Sequence, residues 1–352
     1  MNIWIDMQAP PDVQFFRPFI DEFSKYGMVY VTARDYAETV GLLRAFGIEH
    51  WVIGSESSGN NIVKVFNTLK RTLELYKKNF FSFDVCFALG NLHSIYVSKL
   101  RKKPVINFMD NELGLKGTVD RRTIFDFGVV KSQILLADYI IVPAAFPVNA
   151  LIADGMDRKR IFTFNGYKED VYLADYKPNP TIFEEIPFDS FVVIRPESSA
   201  IYKENTPSLV PKLTERLIER GFNIVYLPRI PKDLELIQNV QASGKVFVPE
   251  QPLNGLDLCY YSQAVLSGSG TITREAACMG KKAVSFFPGK NLLAVDSFLI
   301  KEGKLLHSRN VDEIVDYLTS TDYKKPDLSR SKKVKKEVFS IVKGILVEKG
   351  IL

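Results

Sequence analysis

The chain has 352 residues, 46% of them apolar and 25% charged, with a formal net charge of +5. That length suits two domains rather than one core, and the balance is that of a soluble globular protein, not of a disordered or collagen-like one. The mild positive charge admits anionic ligands but gives no reason to expect nucleic acid, which needs a concentrated basic face.

Cys86, Cys259 and Cys278 are scattered and odd in number, a reduced intracellular pattern with neither a disulfide framework nor a zinc motif. His50, His93 and His307 have no metal-ligand spacing, so no metal site is expected. The opening "MNIWIDMQAPPD" lacks the layout of a signal peptide, and no apolar run approaches eighteen residues. A cytoplasmic protein is expected.

In chain order, short apolar runs alternate with helical patterns. "NIWID" (2–6) reads as a buried strand, 12–27 as a helix, "MVYVTA" (28–33) as the next strand and 36–47 as the next helix. "HWVIG" follows, then the long helix "NIVKVFNTLKRTLELYKKN", then strands at 84–89, 104–109 and 138–143. Strands separated so regularly by helices pair in parallel, because a parallel neighbour needs a crossover. The stretch 165–190, with three prolines and many charges, reads as the linker out of a first domain spanning 1–165.

The alternation then restarts over 191–325. Strands are expected at 191–194, 223–227, "KVFV", "AVLSG" and 282–286, with helices at 207–220, around 232–240, and at 255–261, 271–279 and 291–301. The fold class is therefore α/β: two Rossmann-like domains with parallel sheets and a cleft between them. Ligands of such sheets sit beyond the carboxyl ends of the strands. The tail, 326–352, carries Val334, Val338, Ile341, Val342, Ile345 and Leu346 on one helical stripe. Its lysines fit either a membrane-surface helix or a docked helix with a solvated basic face.

The strand-to-helix junction "LSGSGTITREAACMG" holds the main candidate site. Gly268, Ser269, Gly270 and Thr271 follow an apolar strand and open a helix, where unpaired first-turn N–H groups and the dipole favour an anion. They also fit a plain turn with Thr271 as N-cap. A capping box on Thr271 would want an acid at 274, where the chain has Arg274, so Glu275 lacks that explanation. One turn inside a phosphate-binding helix, its carboxylate could accept from two ribose hydroxyls.

These residues resemble the nucleotide-sugar segment of the GT-B superfamily. Ser269-Gly270, Glu275-Ala276 and Gly280 are similar to the "SGG…EEAPSLG" run of UDP-N-acetylglucosamine 2-epimerases and to the corresponding run of the MurG-type glycosyltransferase. The resemblance implies a diphosphate at Ser269 and Gly270 and a ribose at Glu275. "IWIDMQAPPDVQFFRPFIDEF", "VTARDYAETVGLLRAFGI" and "GSGTITREAACMGKKAVSFFPG" together resemble domain of unknown function 354, across most of the chain. Members of that family often read Pro-Pro-His in the first loop. Here Pro10 and Pro11 precede Asp12, so no histidine role transfers.

"RPES" (195–198) resembles the epimerases' "HRRES", which makes Arg195 a candidate diphosphate clamp. "NELGLK" resembles their "VEAGLR" and would place their catalytic glutamate at Glu112. Asp110 and Glu112 both sit after a strand, as a general base would, and equally fit a solvated acidic loop capping the next helix. Lys290, in the loop "FFPGKN", could approach phosphate or sugar, or be solvated.

Two departures stand out. Where the epimerases carry an aspartate this chain has Asn91, and where they carry the histidine of "HRRES" it has Ile194. An amide cannot serve as a base. The resemblance therefore implies nucleotide recognition without the epimerase acid/base set, closest to a metal-independent glycosyltransferase with a UDP-linked sugar as substrate and no separate cofactor. An epimerase or hydrolase of nucleotide sugars and a non-catalytic nucleotide-sugar-binding protein are the alternatives. The acceptor is unknown, a lipid-linked one at a membrane surface being one option, and a homodimer is left open.

Overall fold

A computed structural model describes residues 1–55, 61–78, 82–115, 124–197, 206–289, 291–320 and 325–352. The chain divides into two compact units. The first comprises Met1–Tyr172, Leu293–Val295 and Lys333–Leu352, and the second Leu173–Leu292 and Asp296–Lys332.

The first unit is built from β1 (Asn2–Met7), α1 (Pro10–Phe23), β2 (Met28–Asp35), α2 (Thr39–Ala45), β3 (Trp51–Ser55), α3 (Asn61–Lys77), β4 (Val85–Leu89), α4 (Leu92–Leu100) and β5 (Val105–Phe108). It continues through α5 (Ile124–Leu136), β6 (Tyr139–Pro143), α6 (Val148–Ala153), β7 (Ile161–Phe164) and the start of α7 (Lys168–Leu173). The strands form a seven-stranded sheet in the order β3-β2-β1-β4-β5-β6-β7, with parallel pairing throughout. The central strands are covered on both faces and so read as continuous apolar runs.

Phe15, Phe16, Phe19 and Phe23 on α1 pack with Phe87 and Phe108 on one face, in mostly edge-to-face contacts. The opposite face buries Trp4, Leu75, Cys86, Ile95 and Val105.

The second unit carries β8 (Val192–Arg195), α8 (Val210–Glu219), β9 (Ile224–Tyr226), β10 (Val246–Phe247), α9 (Gly255–Tyr261), β11 (Ala264–Ser267), α10 (Gly270–Cys278) and β12 (Lys282–Ser285). α11 (Ala294–Lys301), whose first two residues belong to the first unit, β13 (Leu306–His307) and α12 (Val311–Ser320) follow. Its six strands are parallel in the order β10-β9-β8-β11-β12-β13.

Several expectations change. The stretch read as a linker contains α7, whose Val171 and Tyr172 are buried. Its charges hid it: Lys168, Glu169 and Asp170 are themselves buried. Around 232–240 the chain makes a short 3-10 helix, Pro231–Ile237, in place of an α-helix. The last helix, α13 (Ser329–Glu348), packs Val334, Val338, Val342, Ile345 and Leu346 into the first unit's core, with Phe339 against Phe19. That core covers the apolar stripe that a membrane-surface helix would have offered to lipid. Among the described residues no helix is long and apolar enough to cross a membrane.

Candidate functional site

In the second sheet the chain runs outward from β8 to β9 and β10, then returns to place β11 on the other side of β8. This reversal is a topological switch point, where parallel α/β sheets bind ligands. Arg195 is the last residue of β8, in register with Ser267, the last of β11. Gly268 N–H donates to the Arg195 carbonyl at 3.1 Å, joining the two strand ends.

Gly268 is needed for close approach. A β-carbon there would lie 2.5 Å from Glu197 Cγ and 2.7 Å from its Cα. Glu197 in turn accepts from Ser208 Oγ at 2.6 Å, Leu209 N at 3.0 Å and Arg309 Nη1 at 2.9 Å. The acid of the "RPES" motif thus holds the loops together.

α10 begins one residue earlier than expected. Its N-cap is Ser269, in extended conformation, so Thr271 is not the cap but the second residue of the helix. The Ser269 hydroxyl makes no capping bond to the first turn. It accepts instead from Arg229 Nη2 and lies 3.2 Å from Ser267 Oγ. The first-turn N–H groups of α10 are therefore not taken by their own cap, which is the arrangement an anion needs.

Two guanidinium groups converge on this turn. Arg229 follows β9 and reaches Ser269. Arg274 is only 7% exposed and folds back along α10, so that its Nη1 would lie 2.2 Å from a β-carbon at Gly270. It also donates to Asp296 Oδ1 at 3.1 Å. A cation over a helix N-terminus opposes the dipole, so Arg274 requires anionic company, and Asp296 provides some.

Neither arginine was among the residues the sequence singled out. Arg229 could have been found from its place beyond a strand's carboxyl end. Arg274 was noticed only as a missing capping acid. Glu275, half-buried, is the sixth residue of α10 and is near enough to add its charge to the burial that pushes the Cys259 thiol up. Lys290 lies outside the described residues.

In the first unit, Asp110 and Glu112 lie in the loop after β5. Asp110 Oδ2 pairs with Lys168 Nζ at the start of α7, and Oδ1 accepts from Asn111 Nδ2 at 2.7 Å. Glu112 is buried, not solvated. Its Oε1 accepts from Ala294 N at 2.7 Å, at the first residue of α11 and within the same unit. The loop does cap a helix, but a remote one.

Asn91 has a structural reason to be an amide. Its Nδ2 donates to Asp6 Oδ2 at 2.7 Å and to the Asp6 carbonyl at 2.8 Å. Its Oδ1 accepts from His93 N at 3.0 Å and Ser94 N at 3.3 Å, capping α4. Burial pushes the Asp6 carboxyl up, but the Arg71 charge and bonds from Arg71, Thr32 and Asn91 outweigh it and hold it below its usual range. A carboxylate at 91 would face another buried carboxylate. Ile194 is likewise fully buried inside β8, part of the second unit's core.

The β1–α1 junction, by contrast, is built against anions. Pro10 and Pro11 lack N–H groups, and Asp12 Oδ2 accepts from Gln8 N at 2.7 Å and Ala9 N at 3.2 Å. An open hollow of about 700 Å³ lies at the amino ends of this sheet's strands, lined by Lys99, Lys102 and Lys349. It is away from every strand end considered above.

The family model described as "Protein of unknown function (DUF354)" matches residues 1–348. The chain belongs to this family. The uncharacterized protein MJ0665 of Methanocaldococcus jannaschii is 27% identical over 347 residues, covering 90% of this chain and 91% of that one. Among solved structures, the UDP-GlcNAc 2-epimerase of Methanocaldococcus jannaschii superposes with a TM-score of 0.71 at 16% identity, covering 97% of this chain and 99% of that one. The Neisseria meningitidis UDP-GlcNAc 2-epimerase, solved bound to UDP-GlcNAc, gives 0.72 at 15% identity, over 97% of this chain and 100% of that one. At such identities the likeness shows the fold: this DUF354 chain has two Rossmann-like domains of GT-B type.

Proposed function

We propose that this DUF354 protein is a nucleotide-sugar-dependent enzyme, a metal-independent glycosyltransferase with a UDP-sugar-like donor. The observation that carries the reading is the N-terminus of α10, uncapped by Ser269 and approached by Arg229 and Arg274 at the second sheet's switch point. A diphosphate there would receive backbone N–H groups and two guanidinium groups. Glu275, farther along the helix, would accept from the ribose. Arg195 and Lys290 are proposed as further phosphate contacts. The solved neighbour that holds UDP-GlcNAc supports the choice of donor.

In the reaction, a carboxylate of Asp110 or Glu112 takes the proton of an acceptor hydroxyl. The acceptor oxygen forms a bond to the anomeric carbon, the bond from that carbon to the diphosphate breaks, and UDP leaves carrying the negative charge. Cations and N–H groups aimed at that charge lower the barrier. The nucleotide sugar is substrate, and no further cofactor is invoked.

Epimerisation or hydrolysis of the same donors is the second reading, favoured by the fold of the neighbours. Asn91 and Ile194 weigh against it, because neither can move a proton where the epimerases carry an aspartate and a histidine. Incubation with UDP-sugars, with and without acceptor sugars or lipid-linked acceptors, separates the readings. Acceptor-dependent UDP release is expected. A new sugar isomer supports the epimerase, acceptor-independent UDP hydrolysis, and binding without turnover a nucleotide-sugar sensor.

A further inference from the structure

Arg34 is the penultimate residue of β2, at the carboxyl end of the first sheet. Its strand lies beside β1, with Ala33 in register with Met7. From β1 the chain runs outward to β2 and β3, then returns to set β4 on the other side of β1. The first unit thus has a switch point of its own, one strand from Arg34. The guanidinium is half-buried there and poorly matched. Among the described residues, its one hydrogen bond runs from Nη2 to the Gln8 carbonyl at 3.3 Å, and Nε is buried with no acceptor.

The two carboxylates that act on its charge are engaged elsewhere. Asp6 is held by Arg71 through two bonds, at 2.7 and 2.8 Å, and by Thr32 and Asn91. Asp12 Oδ2 is taken by the Gln8 and Ala9 N–H groups. Burial first, and then the Arg71 charge, pull Arg34 below the usual guanidinium range, while Tyr36, Asp6 and Asp12 pull it back with less effect. A guanidinium stays charged in a protein, so the cost of burying it is left uncompensated. The chain nonetheless holds it in place. Arg34 Cζ lies 4.7 Å from the centroid of the Tyr36 ring. The Tyr36 carbonyl accepts from Thr39 Oγ1 at 2.6 Å and from Thr39 N at 3.1 Å. They close a turn in which Ala37 has a φ of +45°, a conformation that alanine rarely takes.

We propose that Arg34 receives an anionic group, a phosphate or a carboxylate, carried by the acceptor sugar. The inference rests on the glycosyltransferase reading, in which the donor's diphosphate goes to α10 of the second unit and the first unit's strand ends are left for the acceptor. The Tyr36 ring covers a face of the guanidinium and leaves its edge, where the N–H groups point, for two oxygens of one group. An oxyanion there supplies the hydrogen-bond partner that Nε lacks and a charge that offsets Arg71. The β1–α1 turn, with Asp12 and two prolines, repels the same group and confines the contact to the β2 side. A neutral acceptor would leave the guanidinium unmatched.

Calorimetry on the full-length chain, with and without UDP, tests this with glucose 6-phosphate, glucuronate, inorganic phosphate and glucose as probes. One or both charged sugars are expected to bind about tenfold or more tightly than glucose, and which of them does so identifies the anion. Arg34→Gln should abolish that preference and leave UDP affinity unchanged. Arg34→Lys keeps the charge without the fork and should restore only part of the preference. Removing an uncompensated charge should leave the melting temperature of ligand-free Arg34→Gln equal to that of the wild type or higher. A variant that melts lower and binds glucose and UDP more weakly alike marks Arg34 as a brace for the Tyr36 turn and overturns the proposal. So do equal affinities for charged and neutral sugars, or a preference that Arg34→Gln retains. Inorganic phosphate that binds as tightly as the preferred sugar makes this a free-anion site and overturns the acceptor contact. Charged sugars held through Arg34 by a wild type that does not bind UDP would uphold the contact and sink the nucleotide-sugar reading.

Discussion

Asp12 shows how a single residue sets both a local structure and a pH dependence. Burial pushes its carboxyl up to about 6, against the pull of the Gln8 and Ala9 N–H groups and of Lys168. The folded chain therefore holds this proton more tightly than the unfolded chain, whose carboxyl titrates near the ordinary 3.8. The stabilisation is complete below about pH 4 and is lost as pH rises through 6, on the order of 3 kcal/mol in all. Asp12→Asn keeps an acceptor for the helix start and removes the titration. Between pH 4 and pH 7 its melting temperature should gain several degrees on that of the wild type. A constant difference across that range would show that Asp12 does not carry the linkage. Asn91 teaches the related lesson. The sequence marked it as a departure, and the reason for it, a neighbouring Asp6 carboxylate paired with Arg71, lies 85 residues away along the chain.

At the scale of elements, the start of α10 is where composition and geometry meet. A strand, two glycines and a helix were legible from residues 264–280, because an apolar run and a glycine-bounded helical pattern are local signals. The cap at Ser269 was not, since Ser269 and Thr271 both belong to the favoured capping types and the choice depends on how Gly268 packs on Glu197. Arg274 and Asp296 give a test that a mere structural ion pair would fail. Arg274→Gln should weaken UDP binding by roughly ten- to a hundredfold, the worth of one or more charge-assisted hydrogen bonds. Asp296→Asn should tighten it, because removing the carboxylate both frees Arg274 and lifts a repulsion on the incoming phosphates. Glu275→Ala should cost on the order of tenfold and abolish discrimination against 2′-deoxy-UDP. Calorimetry on the three variants settles the matter. If Arg274→Gln and Asp296→Asn shift affinity in the same direction, Arg274 only braces α10.

For the whole molecule, two Rossmann-like units divide the proposed chemistry: nucleotide recognition in the second, proton transfer in the first. Glu112→Gln keeps the shape and its acceptor for the Ala294 N–H, so the fold should survive while turnover falls by roughly 10²–10⁴-fold. Donor affinity should barely change. Asp110→Asn is the companion measurement, and full activity in both variants would remove the first unit's carboxylates from the mechanism.

What the sequence by itself determined is whatever local pattern encodes: alternating strands and helices, hence parallel pairing, the GT-B type of fold, and the family. Even there, α7 escaped notice, because its charged residues are buried by partners distant in sequence. Tertiary structure alone decided which polar groups face one another. It set Arg229 and Arg274 around Ser269, took Glu112 from a solvent-facing loop to the start of α11, and docked α13 in the first unit's core. The physical reason is range. Backbone periodicity is written within a turn or two of chain, whereas a site is made of charges and N–H groups whose separation in space has no counterpart in their separation along the sequence.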